Sequence, residues 1–315
     1  MDVLADVVSA MRTGLSSYGR ADVRAPWGLR LTQSTGATFH LILQGTCWLL
    51  PPNGEPPHAL GPGDAVLLPR GAPHAIADQP TTPLVDVGLK TSGKVELPPG
   101  FDPTGGQGPR SLLLCGTYLL ERERPHPLLS TLPDFMHLPA SPGRHRTLHT
   151  AITLLGEEID TGPPGSRAVI PSLVDAVLIL ILRAWLEQQD DYPADGWSKA
   201  MADIPVARSL ELIHAQPGAP WTVATLAARV GLSRATFARR FTDAVGLPPL
   251  TYLARWRMTT AARLLREDSG SLAGVAQQIG YTSEFAFAKA FKRDFGLAPG
   301  AYRRQVTAGP ETAPP

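Results

Sequence analysis

An internal repeat near the C-terminus constrains this chain more than any other feature. The segment LAARVGLSRATFARRFTDAVGLPPLTY (226–252) is echoed by VAQQIGYTSEFAFAKAFKRDFGLAPGAY (275–302). Leu226, Ala227, Val230 and Gly231 recur 49 residues later as Val275, Ala276, Ile279 and Gly280. The turn then gains one residue. Ser233, Phe237, Phe241, Gly246, Pro249 and Tyr252 recur 50 residues later as Ser283, Phe287, Phe291, Gly296, Pro299 and Tyr302. A repeat this dense implies two copies of one supersecondary unit.

Each copy has the pattern of a helix-turn-helix. A short helix with apolar residues four apart ends at a Gly, where positive φ is cheap. A Ser then stands where it can cap the next helix. That second helix buries two Phe one turn apart, so its opposite face is exposed. The exposed face carries Arg234, Ala235, Ala238 and Arg239 in the first copy. In the second it carries Glu284, Phe285, Ala288 and Lys289. Small residues beside long basic ones suit entry into a DNA major groove, where Arg reads guanine and apolar groups touch thymine methyls. Between the copies, PLTYLARWRMTTAARLLRE (249–267) has no internal Pro or Gly and predicts a continuous helix of roughly 27 Å. A spacer of that order suits two reading helices about one DNA turn, roughly 34 Å, apart.

Charge agrees with this division. Residues 1–200 hold 15 Lys+Arg against 20 Asp+Glu, whereas residues 201–315 hold 14 against 8. An acidic, His-bearing front and a basic back point to different partners. No uninterrupted apolar run approaches 18 residues, so no membrane helix is expected. The N-terminus lacks the basic start of a signal peptide. Two cysteines make no disulfide framework, and a reducing cytoplasm is the expected location.

The front half reads as β structure. FHLILQG, CWLLP, DAVLLP and SLLLCGTYLL are short strand-like runs broken by turn sequences such as PPNGEPP and RGAPH. They predict a small barrel or sandwich. Two helices follow, one opening at Ser141–Pro142 and one near Pro171. The second carries Val174, Val177, Leu178, Ile181, Leu182 and Trp185 on one stripe, with Ile179 and Leu180 as surplus apolar residues. Burial within one subunit and a dimer contact are both open for that surplus.

The C-terminal hundred residues resemble the AraC family of bacterial transcription regulators, most densely at GYTSEFAFAKAFKRDFGLAPGAYR and the helix before it. The resemblance implies a DNA-binding domain of two helix-turn-helix units joined by a helix. The positions it implies at DNA are Ser233, Arg234, Ala235, Ala238, Arg239, Ser283, Glu284, Phe285, Ala288 and Lys289. Residues 1–140 resemble, more loosely, the cupin sensor domain found in one branch of that family, at FHLILQG, GDAVLLPRGAPH, LLLCGTY and HPLLSTLP.

Gly63, Pro69, Gly71 and His74 match a cupin motif that aims a His at a metal. Metal-binding cupins need a second motif, H-x-H-x3–4-E-x6-G, on an earlier strand. With Gly45 as its terminal Gly, its ligand positions fall on Thr38 and on or near Thr32 and Ser34. A lone His with hydroxyls does not hold Zn²⁺ or Fe²⁺ tightly, so no metal or other cofactor is expected. A metal-dependent cupin enzyme with a helical appendage is the rival reading, and the missing ligands oppose it. His40 lies two residues beyond Thr38 on the same strand face. His40 and His74 are therefore candidates for an effector pocket, or a pair of hydrogen-bonded core histidines. Cys47 and Cys115 are redox candidates if they meet, and inert buried thiols otherwise.

The expected architecture is an α+β two-domain protein with no catalytic residues. It comprises a cupin-like sensor barrel (1–140), a helical dimerisation region (141–189), a linker (190–205), a double helix-turn-helix domain (206–305) and a flexible tail (306–315). The expected partners are double-stranded operator DNA, a second copy of the chain, an unidentified small-molecule effector and RNA polymerase.

Overall fold

A computed structural model describes every residue except 1, 15, 35, 52–54, 90–94, 97–101, 103, 122–124, 141–142, 190–196, 268–269 and 308–315. The chain forms two compact units. One comprises Gly14–Arg122 and Leu132–Gln188, and the other Met1–Thr13, Glu123–Thr131 and Gln189–Pro315.

The strands of the first unit are β1 (Ser17–Arg24), β2 (Gly28–Leu31), β3 (Ala37–Gln44), β4 (Cys47–Leu50), β5 (His58–Leu60), β6 (Ala65–Leu68), β7 (His74–Ala77), β8 (Val85–Leu89), β9 (Val95–Glu96), β10 (Arg110–Tyr118) and β11 (Met136–Leu138). They make two sheets, ordered β1-β10-β3-β6-β11 and β5-β4-β7-β2-β8-β9. Both contribute to one apolar core. Val23, Ile42, Val66, Leu68 and Leu113 come from the first sheet, and Leu31, Cys47, Leu49, Ile76 and Val87 from the second. The strand-like runs read from the sequence become β3, β4, β6 and β10.

The cupin motif supplies the turns. Gly63 (φ 88°) and Gly71 (φ 56°) both take the left-handed conformation that favours glycine. A Cβ at Gly71 would stand 2.3 Å from the Gly36 carbonyl oxygen, so no side chain fits there. Asp64, between them, accepts from the Gly61 and Ala140 amides and from the His137 ring.

Strand β3 is buried on both faces along Ala37–Ile42. Its inward row is Thr38, His40 and Ile42. On the other row, Phe39 packs its ring 4.8 Å from Tyr118. The Tyr118 hydroxyl donates to the Val174 carbonyl at 2.7 Å. Helices α3 (Arg146–Thr161) and α4 (Ser166–Gln189) belong to this unit. The Ser141–Pro142 cap lies outside the described residues, and α4 starts before its expected origin, with Pro171 inside the helix. Val174, Val177, Leu178, Ile181 and Leu182 are buried as the stripe predicts, whereas Trp185, Ile179 and Leu180 are half-buried. Within Ser166–Gln188 an 18-residue window reaches a mean hydropathy of 2.1, enough by length and composition for a membrane span, which the sequence reading did not anticipate. Of that window 39% is buried, with Val174, Val177, Leu178, Ile181, Leu182 and Ala184 in the core.

The second unit is helical: α1 (Val3–Met11), α2 (Pro127–Ser130), α5 (Trp197–Ala202), α6 (Ile204–Ala215), α7 (Val223–Arg229), α8 (Arg234–Val245), α9 (Pro249–Glu267), α10 (Leu272–Gln278), α11 (Glu284–Phe295) and α12 (Pro299–Thr307). Two boundaries differ from the sequence reading. The stretch expected as linker, 190–205, carries α5 and the start of α6. Residues 190–196 of it lie outside the described residues, and Trp197, which opens α5, is buried. The front of the chain also contributes α1 and α2 to this unit, rather than lying wholly with the sheets. The Arg266 guanidinium donates to the Ala10 carbonyl at 2.7 Å. The expected tail begins within α12, which continues to Thr307, and 308–315 lie outside the described residues.

Candidate DNA interface and candidate sensor site

The two helix-turn-helix copies repeat in three dimensions. Gly231 (φ 71°) and Gly280 (φ 82°) make the turns. Gly280 also lets the backbone approach Gly218, whose carbonyl oxygen would lie 2.5 Å from an added Cβ. Ser233 caps α8 by accepting from the Thr236 amide, and Ser283 caps α11 by accepting from the Ala286 amide. In the first copy, Phe237 and Phe241 stand 5.6 Å apart and Phe241 and Tyr252 5.7 Å. In the second, Phe287 and Phe291 stand 5.7 Å apart and Phe291 and Tyr302 5.3 Å. All four Phe are fully buried, which fixes the opposite helix faces toward solvent.

On those faces Arg234, Ala235, Arg239, Glu284, Phe285 and Lys289 are exposed, and Ala238 and Ala288 are half-buried. Hydrogen bonding sorts the arginines of this unit. Arg240 binds Asp203 through two nitrogens at 3.0 and 2.8 Å. Arg257 donates to the Pro217 and Ala219 carbonyls. Arg263 pairs with Glu267, and Arg266 with the Tyr302 hydroxyl. The side chains of Arg234, Arg239 and Lys289 pair with no other described residue. A cation held by the protein stabilises the fold, whereas one left free on a bare helix face is available to phosphate or guanine. Sequence reasoning placed Arg239 on the exposed face from its spacing to Phe237 and Phe241 and gave Arg240 no role. The signal was Asp203, which caps α6 through one carboxylate oxygen and takes Arg240 on the other.

Sequence reasoning also missed a buried polar chain in the helical unit. The Leu128 amide donates to His126 Nδ1, so His126 Nε2 carries the proton and donates to the Tyr252 hydroxyl at 3.0 Å. Tyr252 in turn donates to His214 Nε2 at 2.6 Å. His214 Nδ1 then faces Asp6 Oδ2 at 3.4 Å, an ion-pair distance longer than a good N–H···O bond. Burial foremost pushes both His pKa values down and that of Tyr252 up, so all three stay neutral.

In the double-sheet unit His40 lies opposite Cys115 in the ladder, and His40 and His74 meet as the spacing predicts. The His74 Nδ1–H donates to the Ala72 carbonyl at 2.8 Å, which leaves its Nε2 as acceptor. His40 donates to it through Nε2–H at 2.7 Å, and its own Nδ1 accepts from the Cys115 thiol at 2.9 Å. Every nitrogen in this chain is satisfied with both rings neutral. Burial holds the His74 pKa down at about 4 and the His40 pKa well below its ordinary value. Thr38 Oγ1, on the same inward row, is buried without a hydrogen-bond partner among the described residues.

These residues do not fit a transition-metal centre. The facing imidazole nitrogens stand 2.7 Å apart, closer than the about 3.3 Å kept by two ligands at about 2.0–2.1 Å from tetrahedral Zn²⁺. Cys115 occupies the other edge of the His40 ring. Ser34 is buried and caps the Gly36 amide, and Thr32 is exposed. Cys47 and Cys115 both adjoin the sheet core. Burial foremost raises the Cys47 pKa to about 12 and pushes that of Cys115 up as well, so neither supplies a thiolate at neutral pH.

A family profile described as Cupin matches residues 2–187, and one described as Helix-turn-helix domain matches residues 226–305. A Streptomyces lividans protein named as an AraC-like transcription regulator is 34% identical over 98% of this chain and 99% of its own length. The chain belongs to the AraC-like transcription regulators. The transcriptional regulator AlkR of Acinetobacter baylyi is 27% identical over 97% of this chain and 100% of its own length. Among solved structures, the DNA-binding domain of AdpA in complex with a target DNA is 35% identical over 34% of this chain and 98% of that one, with a TM-score of 0.32. Membership of that family makes this chain a DNA-binding transcription regulator rather than an enzyme. The Cupin match runs on through α3 and α4, so the family unit is longer than the 1–140 segment read from strand signals.

Proposed function

We propose that this regulator is a cytoplasmic homodimer that presents the exposed faces of α8 and α11 to operator DNA. Its double-sheet unit, read as a cupin barrel, binds a small polar effector beside His40 and His74, and the bound state changes promoter output through RNA polymerase. The observation that carries the effector reading is the buried, unpartnered Thr38 hydroxyl on the row of the histidine pair. A buried polar atom left unpaired costs about 1–3 kcal/mol, and a ligand offering a donor and an acceptor would recover that and exchange with the His40–His74 bond. Such a ligand regulates by binding two conformations unequally.

His74→Ala is therefore expected to leave the DNA affinity of the ligand-free protein nearly unchanged and to abolish the response of promoter output to the effector. Promoter output measured across candidate small molecules tests this, and a normal response in the mutant removes the pocket as sensor. An oxidative signal through Cys47 and Cys115 is the second reading. Their raised pKa values oppose it, and an oxidant response lost in Cys47→Ser and Cys115→Ser would restore it.

Helices α3 and α4 are the proposed dimer contact, because Ile179 and Leu180 retain accessible apolar surface and Leu154 and Val169 are exposed. Ile179→Asp is expected to yield monomers, since burying an unpaired carboxylate is costly. Light scattering of the full chain decides it. A parent protein that is itself monomeric refutes the assignment.

A further inference from the structure

We infer that the two helix-turn-helix units read chemically unlike half-sites, guanine in the first and a thymine-bearing step in the second, with Phe285 as the residue that reads the thymine methyl. This rests on the DNA-binding reading of the α8 and α11 faces and specifies what each recognises.

The frame of the two units is the same, so equivalent positions can be compared. At the first two helical positions α8 carries Arg234 and Ala235, and α11 carries Glu284 and Phe285. At the sixth position Arg239 stands against Lys289. The first face has two free guanidiniums, the side chains that pair bidentately with guanine O6 and N7. The second face has no guanidiniums, and its cation is the Lys289 ammonium. In their place stands a phenyl ring that is 79% exposed and is, among the described residues, the only large exposed aromatic side chain.

Packing gives no reason for that ring. Phe287 and Phe291 fill the core beneath α11, and Phe285 projects from the helix start, where HTH recognition helices contact base edges. The C5-methyl of thymine is the one apolar group on the major-groove edge of a base pair. Glu284 fits the same step. A carboxylate repels phosphate, so on a DNA-facing surface its favourable contact is the amino donor of a cytosine. It also complements the α11 N-terminus, so Phe285 rather than Glu284 carries the inference.

The test uses the full-length protein and a random-sequence duplex pool. Sites are selected, and each thymine in the selected site is replaced singly by deoxyuridine, which removes the methyl and keeps the pairing. Arg239→Ala marks the half-site of the first unit by the position whose preference it relaxes. In the other half-site, at least one substitution is expected to weaken the parent protein about fourfold, from roughly 0.8 kcal/mol per buried methyl. Phe285→Ala is expected to bind the thymine and deoxyuridine sites equally, whereas Phe285→Leu keeps part of the difference. Silent deoxyuridine substitutions overturn the inference, as does a thymine preference that survives in Phe285→Ala. Unchanged DNA binding by Phe285→Ala with collapsed promoter output also overturns it, and assigns the ring to a protein partner. A pool that yields no enriched sequence fails the DNA-binding reading itself, an outcome distinct from a site that is selected but blind to the methyl.

Discussion

Replacing Arg239 by alanine is expected to weaken specific DNA binding by roughly one to two orders of magnitude and to relax preference at one base pair. A bidentate arginine–guanine contact discriminates by about 1–3 kcal/mol, and Arg239 is exposed with no described partner to hold it back. Its neighbour Arg240 is the control. That guanidinium is held by Asp203, which also caps α6. Arg240→Ala should therefore lower the stability of the helical unit while leaving base preference intact. Titrations at one fixed salt concentration are needed, because phosphate contacts make affinity steeply salt-dependent. Unchanged affinity and preference in Arg239→Ala would remove α8 from the interface. A relaxed preference in Arg240→Ala would show that the sorting of arginines by their partners is wrong.

Mild acid is expected to destabilise both units. Burial lowers the pKa of His40 and His74 in the double-sheet unit and of His126 and His214 in the helical unit, in the last case against the opposing pull of Asp6. In the unfolded chain these rings take a proton near pH 6.5. Between about pH 6.5 and about pH 4 the unfolded state therefore binds more protons, and stability must fall as pH falls. Stability from this source is fully present above the unfolded value and is lost down to the folded one. For His74, whose folded value is about 4, the loss is on the order of 3 kcal/mol at 1.36 kcal/mol per pH unit. The carboxylates with lowered values, Asp22, Asp64 and Asp102, titrate below this window. Urea midpoints should drop from about pH 7.5 to about pH 4.5, and His74→Asn should remove the His74 share of that drop. A midpoint constant across that range refutes the neutral histidine chains.

The sequence carried the turns, caps and buried phenylalanines of the helical unit because their signals are local. Turn glycine, capping serine and paired phenylalanines each act within one or two helical turns, and the 50-residue echo makes each a check on the other. The inward row of β3 was legible for a similar reason, since strand alternation places His40 beside Thr38 once one of them is assigned. What escaped was decided by partners far along the chain. Trp197 is buried although its surroundings read as a linker. Asp6, His126, His214 and Tyr252 come together from four segments, and no spacing within any one of them announces the others. The helical spacing put Arg239 on the outer face, but the partner that holds Arg240, Asp203, lies 37 positions upstream and was not legible.

The repeated aromatic frame has a consequence for how such a protein can change. Each unit keeps its phenylalanine pair and closing tyrosine in nearly the same arrangement, while the outward residues at the helix start differ, Arg234 and Ala235 against Glu284 and Phe285. The interior is a chassis, and the outward face is a fitting mounted on it. On the proposed reading, a substitution at Phe285 or Arg234 would alter what one unit recognises without disturbing the packing of either. Operator preference can therefore drift one half-site at a time, with the other half-site anchoring the protein to its promoter while the first is renegotiated.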